Sequence, residues 1–513
     1  MNIRLIKSLL QKYPLFLLTL PLIFLIQTAN HYFRLLHWEY IITDTLIYLL
    51  IPFLLYFLLG KLSGSYPKSG VFLFVLVYIF YYFHVLYEWL TELPVLAFMA
   101  HYIVLLPLIL AGIILLLVYL KKKKSNFQSF YYKANIILIV LLVAGIIQYI
   151  FLSLTDTLKK HDQANPLKPL VKSFVTCDTC KMPDIYFIIF DGYTNTKTLN
   201  EEFSYDNRFV ENQLEKKDFF IARHSKSNYN FTHMSIGSEL NLDYLINLKT
   251  SRQFYTKDFL QSYYTVYHNE LCAILKKQGY VINNYSNFPI EDAPVKITPH
   301  LTELTYRSVL GQTFFNKLNR DIGWHLARFY PKEKISKAKE KKIDDDITRM
   351  NEVFNGIVAS AKRPPSKPQF LYGHFLLPHE TFYFDSSGNT LSKLYTTNTP
   401  INKKDYLNQL VFTNKFLMLS LVDSVFKYSV RPFIMIIQSD HGYRSYEPGK
   451  AHLEFENFSA FYFPDKDYKS VSDTLSSVNT FRIILNKYFD QHLPLLQDSL
   501  INLSKRNSYL DSF

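Results

Sequence analysis

Cysteine is scarce in this sequence, with 3 residues in 513. So few thiols exclude a small domain that is held together by disulfides. Acidic residues are scarce in one region, because residues 1–154 contain four acids against eleven Lys or Arg. The same region carries long apolar runs, which exclude a wholly soluble enzyme and a disordered chain. The remaining residues have an ordinary charge balance and are numerous enough to form a soluble domain with a large core.

The formal charge of +13 resembles that of a nucleic-acid-binding protein. More than half of the excess, however, lies between apolar segments, where membrane topology explains it better than phosphate binding does. We therefore expect the N-terminal region to lie in a membrane. We expect no nucleic-acid partner.

Segments long enough to cross a bilayer, or nearly so, occur throughout the N-terminal region. The first has no small-residue cleavage site, so we interpret it as an anchor and not as a cleaved signal peptide. There are five such segments, at about 14–30, 40–60, 70–90, 102–120 and 134–154.

The basic residues of the N-terminal region predict its orientation. The N-terminal stretch and the loops at 61–69 and 121–133 hold ten of its eleven Lys or Arg. By the positive-inside rule these parts are cytoplasmic, and an odd number of spans places the C-terminal domain on the other side. We predict a multi-pass protein of a bacterial-type cytoplasmic membrane, with a transmembrane domain at 1–154, a linker at 155–182 and an extracytoplasmic domain at 183–513.

The predicted linker contains the pair Cys177 and Cys180, spaced as C-x-x-C. In an oxidising compartment this spacing favours a local disulfide. A redox or metal role is the alternative, although no second cysteine pair is present to complete a zinc site.

From Pro183 onward, buried strand-like runs alternate with amphipathic helical stretches. The clearest strands are DIYFIIF (184–190), QFLYGHFLL (369–377) and FIMIIQS (433–439). This alternation predicts an α/β domain with a mostly parallel sheet between helices. In such sheets the functional residues collect at the carboxyl ends of the strands.

Two of these strands end in acidic residues. The first runs into Asp191-Gly192 and the last into Asp440-His441-Gly442, while Thr232 opens a helical stretch between them. Taken singly, an Asp-Gly is more often a turn and a helix-opening threonine more often an N-cap. Carboxylates and an imidazole at one sheet edge are nevertheless a donor set for a divalent metal.

The order strand–Asp, helix-opening Thr, strand–Asp-His resembles the alkaline phosphatase superfamily, in its sulfatase-like, membrane-anchored branch. The sequence is similar to lipoteichoic acid synthases and phosphoethanolamine transferases. The segments that carry the resemblance are PDIYFIIFDGY (183–193), SNYNFT (227–232), LPHETFYFD (377–385), QSDHGYR (438–444), ENFSAFYF (456–463) and VNTFRIILNKYF (478–489).

The resemblance implies one divalent metal, which could be zinc, manganese or magnesium, held by Asp191, Thr232, Asp440 and His441. It also implies that Thr232 is the nucleophile and that His379 lies near the phosphoryl or sulfuryl oxygens of the substrate. No C/S-x-P-x-R motif for formylglycine surrounds Thr232, which disfavours sulfate-ester hydrolysis. No Asp-x-x-x-His includes His374 or His379, which favours one metal over two.

Other residues are candidates for substrate binding, each with a structural alternative. Asn228 could donate to a phosphoryl oxygen or form a turn. His374 lies inside an apolar strand, where a core histidine is the favoured interpretation. Lys450 and His452 follow the Asp-His pair as substrate-binding residues of sulfatases do, and solvated surface residues are the favoured alternative.

The predicted function is transfer of phosphoethanolamine or phosphoglycerol from a phospholipid donor to an envelope glycan or lipid, through a covalent Thr232 intermediate. The alternatives are a membrane-anchored phosphodiesterase or phosphatase, and a non-catalytic envelope binding protein. Asp44 and Glu88 fall near the predicted outer ends of their spans. They are interpreted as interfacial residues, with a lipid-headgroup pocket as the alternative.

Overall fold

The computed structural model describes residues 3–31, 33, 42–162, 169–254, 256–298, 310–326, 332–391, 402–444 and 449–505. The start of the predicted span at 40–60 and residues 163–168 of the predicted linker lie outside this set. The chain forms two compact units. The first comprises Met1–Ala164, Thr302–Phe329 and Asn507–Phe513, and the second comprises Asn165–Leu301 and Tyr330–Arg506.

The described residues form α-helices in both units. In chain order they are α1 (Ile3–Lys12), α2 (Phe16–His31), α3 (Ile42–Ser63), α4 (Tyr66–Glu92), α5 (Tyr102–Lys122), α6 (Gln128–Asp162), α7 (Pro169–Ser173), α8 (Thr196–Phe203), α9 (Arg208–Glu215), α10 (Thr232–Leu240), α11 (Thr256–Tyr267), α12 (Glu270–Lys277), α13 (Phe314–Leu326), α14 (Lys332–Lys362), α15 (Lys403–Phe412), α16 (Leu419–Tyr428) and α17 (Thr480–Tyr488).

Every strand among the described residues belongs to the second unit. They are β1 (Asp184–Phe190), β2 (Phe220–Ile221), β3 (Arg252–Phe254), β4 (Val281–Tyr285), β5 (Gln369–Phe375), β6 (Phe433–Gln438), β7 (Ser459–Tyr462) and β8 (Leu503–Lys505).

Among the described residues, 3 helical segments are long and apolar enough to cross a membrane: Tyr66–Thr91, Tyr102–Lys122 and Gln128–Thr155. The number becomes 4 if α1 and α2, which meet at a bend of 88°, count as one span. Leu49–Ser63 is apolar but shorter. The five predicted spans therefore stay a prediction.

The bend between α1 and α2 is stabilised by a buried amide on α6. Asn135 accepts a hydrogen bond from the Phe16 backbone N–H at 2.7 Å and donates to the carbonyls of Leu10 and Tyr13, each at 2.8 Å. A break in a helix leaves backbone groups without intrahelical partners, and lipid offers them none. The Asn135 side chain supplies those partners from the neighbouring helix.

The main sheet of the second unit has the strand order β2-β7-β6-β1-β5-β4. Strands β4, β5, β1 and β6 are parallel, whereas β7 is antiparallel to β6 and β2 is antiparallel to β7. The predicted α/β class with a mostly parallel sheet, following apolar helices, is confirmed. In the β1–β5 pairing Phe190 lies opposite Phe375, so the carboxyl ends of these strands meet at one edge.

All seven residues of β1 are buried, because helices cover both faces of the sheet. On one face, Ile188 belongs to an apolar cluster with Ile357 of α14 and Val422 of α16. On the other face, the Phe187 ring packs edge-on against Phe481 of α17, with ring centroids 5.0 Å apart. A strand that is buried on both faces reads as a continuous apolar run, which is why the sequence signal was clear.

The start of the second unit is tied to α12. Cys177 and Cys180 form a disulfide. The carboxylate of Glu270 accepts a hydrogen bond from the backbone N–H of Val171 at 2.9 Å.

The predicted domain boundaries stay a prediction. Residues 302–329, which the sequence placed in the C-terminal domain, group with the first unit.

Candidate active site

Three parallel strands bring acidic and imidazole groups to one sheet edge. Asp191 follows β1, Asp440 and His441 follow β6, and His374 lies near the end of β5. Nε2 of His441 lies 3.3 Å from Oδ2 of Asp440 and 3.5 Å from Oδ1 of Asp191. Nε2 of His374 lies 3.6 Å from Oδ2 of Asp191. All four side chains are at most 8% exposed.

Thr232 is the first residue of α10, and its hydroxyl does not cap the helix. The capping position is occupied by Phe231, which makes no side-chain cap. Oγ1 of Thr232 instead lies 3.4 Å from Nε2 of His441. The hydroxyl therefore joins the cluster at the sheet edge, at a helix end whose first N–H groups have no intrahelical acceptor.

The loop before Thr232 is held by buried asparagines. The Asn230 amide donates to the carboxylate of Glu454 at 2.9 Å and to the carbonyl of Leu503 at 3.0 Å. The Asn228 amide donates to the Ser499 carbonyl at 3.1 Å, and its oxygen accepts from the Val478 N–H at 2.8 Å. These hydrogen bonds fix the position at which α10 begins. They also occupy the side chain of Asn228, which the sequence made a candidate for substrate binding.

Several polar atoms of the cluster are buried without a hydrogen-bond partner among the described residues. They are Oδ1 of Asp191, Oδ2 of Asp440 and Nε2 of His374. Buried polar atoms are rarely left unpaired, and an unpaired carboxylate oxygen is especially costly. These acceptor atoms converge on one place, where a cation would satisfy them.

Two overlapping groups have their ligand atoms within 4.8 Å of one another: Asp191 with His379 and His441, and Asp191 with His374 and Asp440. A mixed set of carboxylate oxygens and imidazole nitrogens suits zinc or manganese better than magnesium. The residues therefore fit one divalent cation.

In the two deeply buried imidazoles, His441 and His374, the Nδ1 atom has a polar contact. Nδ1 of His441 lies 2.7 Å from the Gly442 carbonyl, and Nδ1 of His374 lies 3.0 Å from the Tyr372 hydroxyl. Such contacts set the tautomer and turn Nε2 toward a metal. Burial lowers the pKa of His441 and so favours the neutral ring that a cation needs.

The charge on Asp191 is maintained by its neighbours. Burial alone would raise the pKa of this carboxyl, but His379, followed by His374 and His441, holds the pKa below its ordinary value. Next along the chain, Gly192 adopts a φ of +68°, and a side chain there would meet His379 at 3.3 Å. Glycine is therefore required for the turn and for the approach of His379.

His379 follows β5 and is partly exposed at the edge of the cluster. Its backbone N–H donates to the Asp191 carbonyl at 3.1 Å, which places the ring beside the site. Its Nδ1 lies 2.8 Å from the Glu380 carbonyl, and its Nε2 contacts the guanidinium of Arg444. The two contacts are satisfied together when Nδ1 donates and Nε2 accepts.

Sequence reasoning did not assign Arg444. Its guanidinium lies over the Phe231 ring, 5.3 Å from the centroid, and so stands beside the start of α10. The sequence does indicate that Arg444 lies near the site, because it follows Asp440 by four residues in QSDHGYR. A fixed cation at the mouth of a site that contains a candidate nucleophile is a means of binding an anionic substrate.

The remaining candidates lie apart from these contacts. Lys450 pairs with the carboxylate of Glu202, with Nζ 2.7 Å from Oε2. His452 is exposed on the 3-10 helix Ala451–Phe455. Their roles in substrate binding stay predictions.

Comparison with known proteins found likenesses in structure only. No protein-family model and no curated protein sequence matches the chain. The chain is similar to the C-terminal periplasmic domain of EcEptC from Escherichia coli in complex with Zn, at 11% identity and a TM-score of 0.39, covering 66% of this chain and 94% of that one.

It is also similar to the C-terminal periplasmic domain of phosphoethanolamine transferase EptC from Campylobacter jejuni, at 13% identity and a TM-score of 0.32, covering 63% and 94% of the two chains. A third neighbour is the putative sulfatase yidJ from Bacteroides fragilis, at 12% identity and a TM-score of 0.37, covering 62% and 76%. At these TM-scores the likeness does not establish a shared activity.

Proposed function

We propose that this protein is a membrane-bound, metal-dependent transferase that moves a phosphoethanolamine or phosphoglycerol group from a phospholipid to an envelope glycan or lipid. One observation carries the proposal. The Thr232 hydroxyl stands at a helix N-terminus, 3.4 Å from His441, beside buried carboxylate oxygens that have no other partner among the described residues. A hydroxyl in such a place is suited to act as a nucleophile on phosphorus.

The cation would be held by Asp191, Asp440 and His441, with Thr232 completing the set. When bound, it supplies positive charge that lowers the pKa of the hydroxyl and offsets charge on the phosphoryl oxygens. Binding the substrate, orienting it and moving the proton would be done by the protein's own side chains.

In the first step the Thr232 oxygen forms a bond to phosphorus, and the bond from phosphorus to the diacylglycerol oxygen breaks. The proton of the threonine hydroxyl ends on the departing diacylglycerol, and His379 would carry it once Arg444 turns from Nε2 of His379 to the bound phosphate. In the second step an acceptor hydroxyl attacks the phosphothreonine diester. The proton of that hydroxyl returns to the Thr232 oxygen, so that the enzyme is regenerated.

Positive charge at the edge of the site supports this chemistry. Phosphoryl transfer depends mainly on positioning and on charge stabilisation of the oxygens that do not leave. Arg444 lies over the ring of Phe231, the residue before Thr232, and contacts His379. Arg444 and the N–H groups at the start of α10 would bind the anionic phosphodiester and hold it in line for attack.

Transfer is favoured over hydrolysis by the first unit. Its helices include 3 that are long and apolar enough to cross a membrane, more than an anchor requires. We propose a cytoplasmic-membrane location in which the N-terminus is cytoplasmic and the second unit faces the outer leaflet, where phospholipid headgroups are the phosphodiesters within reach.

The test is a turnover assay on the full-length protein in vesicles that contain headgroup-labelled phosphatidylethanolamine or phosphatidylglycerol. Label that moves to an added envelope extract supports the transferase. Label released only as the free phosphorylated headgroup would indicate the hydrolase. Absence of turnover with every added divalent metal would favour the non-catalytic binding protein.

A further inference from the structure

His379 belongs to a loop, residues 376–383, that contains no helix or strand. Among the described residues, two hydrogen bonds join the backbone of this loop to other backbone groups. In one of them the His379 N–H donates to the Asp191 carbonyl at 3.1 Å. Buried backbone groups that lack a backbone partner need one from a side chain. The side chains that bond to this loop therefore decide where the His379 ring stands.

One buried side chain supplies several of these partners. Gln409 lies on α15 and is 0% exposed. Its Nε2 donates to the His379 carbonyl at 2.9 Å, and it lies 3.2 Å from the Thr381 carbonyl and 3.3 Å from the Pro378 carbonyl. Its Oε1 accepts from the Tyr383 N–H at 2.7 Å. A single amide, with two hydrogens and one acceptor oxygen, thus contacts four backbone groups of the loop.

The same helix also holds the loop that follows β1. The Tyr406 hydroxyl donates to the Gly192 carbonyl at 2.8 Å and accepts from the Thr194 N–H at 3.2 Å. Tyr406 and Gln409 are three positions apart and so lie on one face of α15. This face contacts the backbone on both sides of the candidate site, beside Asp191 and at the His379 loop.

An apolar residue would fit the surroundings of Gln409 better if filling space were all that was required. Its helix neighbours Tyr406 and Leu410 belong to the buried apolar cluster of the second unit. An apolar side chain there would leave the Tyr383 N–H and the loop carbonyls without this partner, which is costly for buried groups. With the amide present, both backbone groups of His379 are bonded, the N–H to Asp191 and the carbonyl to Gln409.

We propose that Gln409 is a positioning residue, which keeps the His379 ring in place for the transfer reaction by holding the backbone of its loop. That ring lies 5.9 Å from the His441 ring, measured between centroids. The inference rests on the proposed function and deepens it, because it names a residue on which the role of His379 depends. Gln409 acts through His379 and binds neither metal nor substrate, so its loss should lower kcat and not metal binding.

The test measures headgroup transfer by the full-length protein in vesicles. Gln409→Met keeps the approximate volume of the side chain and removes its hydrogen bonds. It should lower kcat by about 10- to 100-fold, as a misplacement of about 1 Å does. KM and bound zinc should stay close to the wild-type values.

Gln278→Met is the matched control. Gln278 is also buried, and its amide also bonds to a backbone N–H and a backbone carbonyl, both of Cys177. Cys177 precedes β1, whereas the candidate site follows the end of that strand. This variant should lose stability and keep its kcat, which separates a glutamine that only supports the fold from one that positions His379.

A double-mutant cycle tests whether Gln409 acts through His379. In the His379→Gln background, adding Gln409→Met should lower the remaining kcat by no more than about twofold, because the two residues act through one group. Equal losses in the two backgrounds would overturn the proposal. A wild-type kcat in Gln409→Met would do the same.

A second variant carries the test if Gln409→Met does not fold. In Gln409→Glu the buried carboxyl stays protonated and donates one hydrogen bond where the amide donates two. This variant should therefore retain more of the kcat than Gln409→Met. A Gln409→Glu protein that folds and loses no kcat in either background would refute the positioning role.

Hydrogen exchange followed by mass spectrometry needs no turnover. The peptide that contains Tyr383 should exchange faster in Gln409→Met than in the wild type, because the Tyr383 N–H loses its acceptor. Faster exchange in a protein that transfers no headgroup would refute the proposed function and leave the contact with the loop standing. Equal exchange, with normal transfer by the wild type, would overturn the positioning role alone.

Discussion

The hydroxyl oxygen of Thr232 lies 3.4 Å from Nε2 of His441, although the two residues are 209 positions apart in the chain. One stands at the start of a helix and the other follows a central strand. The contact places a potential nucleophile against a neutral imidazole that is buried beside two carboxylates.

Replacing the hydroxyl tests the role of Thr232. Thr232→Ala should lower turnover by about 10³-fold or more, as loss of a nucleophile does. Thr232→Ser keeps the hydroxyl and should retain most of the activity. Headgroup release from labelled lipid is the measurement, and a fully active alanine variant would refute both the transferase and the hydrolase.

Removing the metal ligands should abolish metal binding together with activity. Asp191→Asn and Asp440→Asn should purify with little bound metal, because each removes a carboxylate that points into the cluster. Asp423→Asn is the matched control, since Asp423 is 65% exposed and pairs with Lys217. Elemental analysis checks the metal content. Chelation of the wild type should inactivate it, and added zinc or manganese should restore turnover.

Arg444 should affect substrate binding more than the fold. Arg444→Gln is expected to raise KM by about 10- to 100-fold, because a hydrogen bond to a charged group contributes about 1.5–3 kcal/mol. Arg444→Lys keeps the charge and should recover part of the loss. Metal content should stay unchanged in both variants, and an unchanged KM in Arg444→Gln would exclude the assigned role.

The core of the second unit offers a stability test. Phe481 is fully buried against β1, so Phe481→Ala should lower the free energy of unfolding by about 3–5 kcal/mol. Phe209 is 56% exposed, and Phe209→Ala should change stability by less than about 0.5 kcal/mol. Thermal unfolding of the purified protein in detergent compares the two variants. Equal melting temperatures would contradict the packing described for this face.

The parallel sheet was predictable because its central strands are short apolar runs that end in polar residues. The edge that gathers Asp191 and Asp440 follows from that pattern alone. The position of His374 was harder to interpret, because an apolar strand gives no sign that one ring will point at a carboxylate. Its Nε2 lies 3.6 Å from Asp191, a contact that depends on which face of β5 it occupies.

Other features depend on contacts between distant parts of the chain. Arg444 follows the Asp-His pair closely, but only the fold brings it against His379 and Phe231. The helix α13 is amphipathic in sequence, and nothing in its pattern shows that it packs on α4 and not in the second unit. The buried Asn135 likewise reveals its function only beside the bend that it stabilises.

The proposed transfer passes through a covalent intermediate on Thr232, which peptide mass spectrometry of the protein purified from its native membrane can detect. A transferase deprived of acceptor accumulates its intermediate. We expect an adduct on Thr232 with the mass of phosphoethanolamine or phosphoglycerol, and none in Thr232→Ala. A Thr232 peptide that stays unmodified after incubation with donor lipid and metal, without acceptor, would rule out the covalent intermediate.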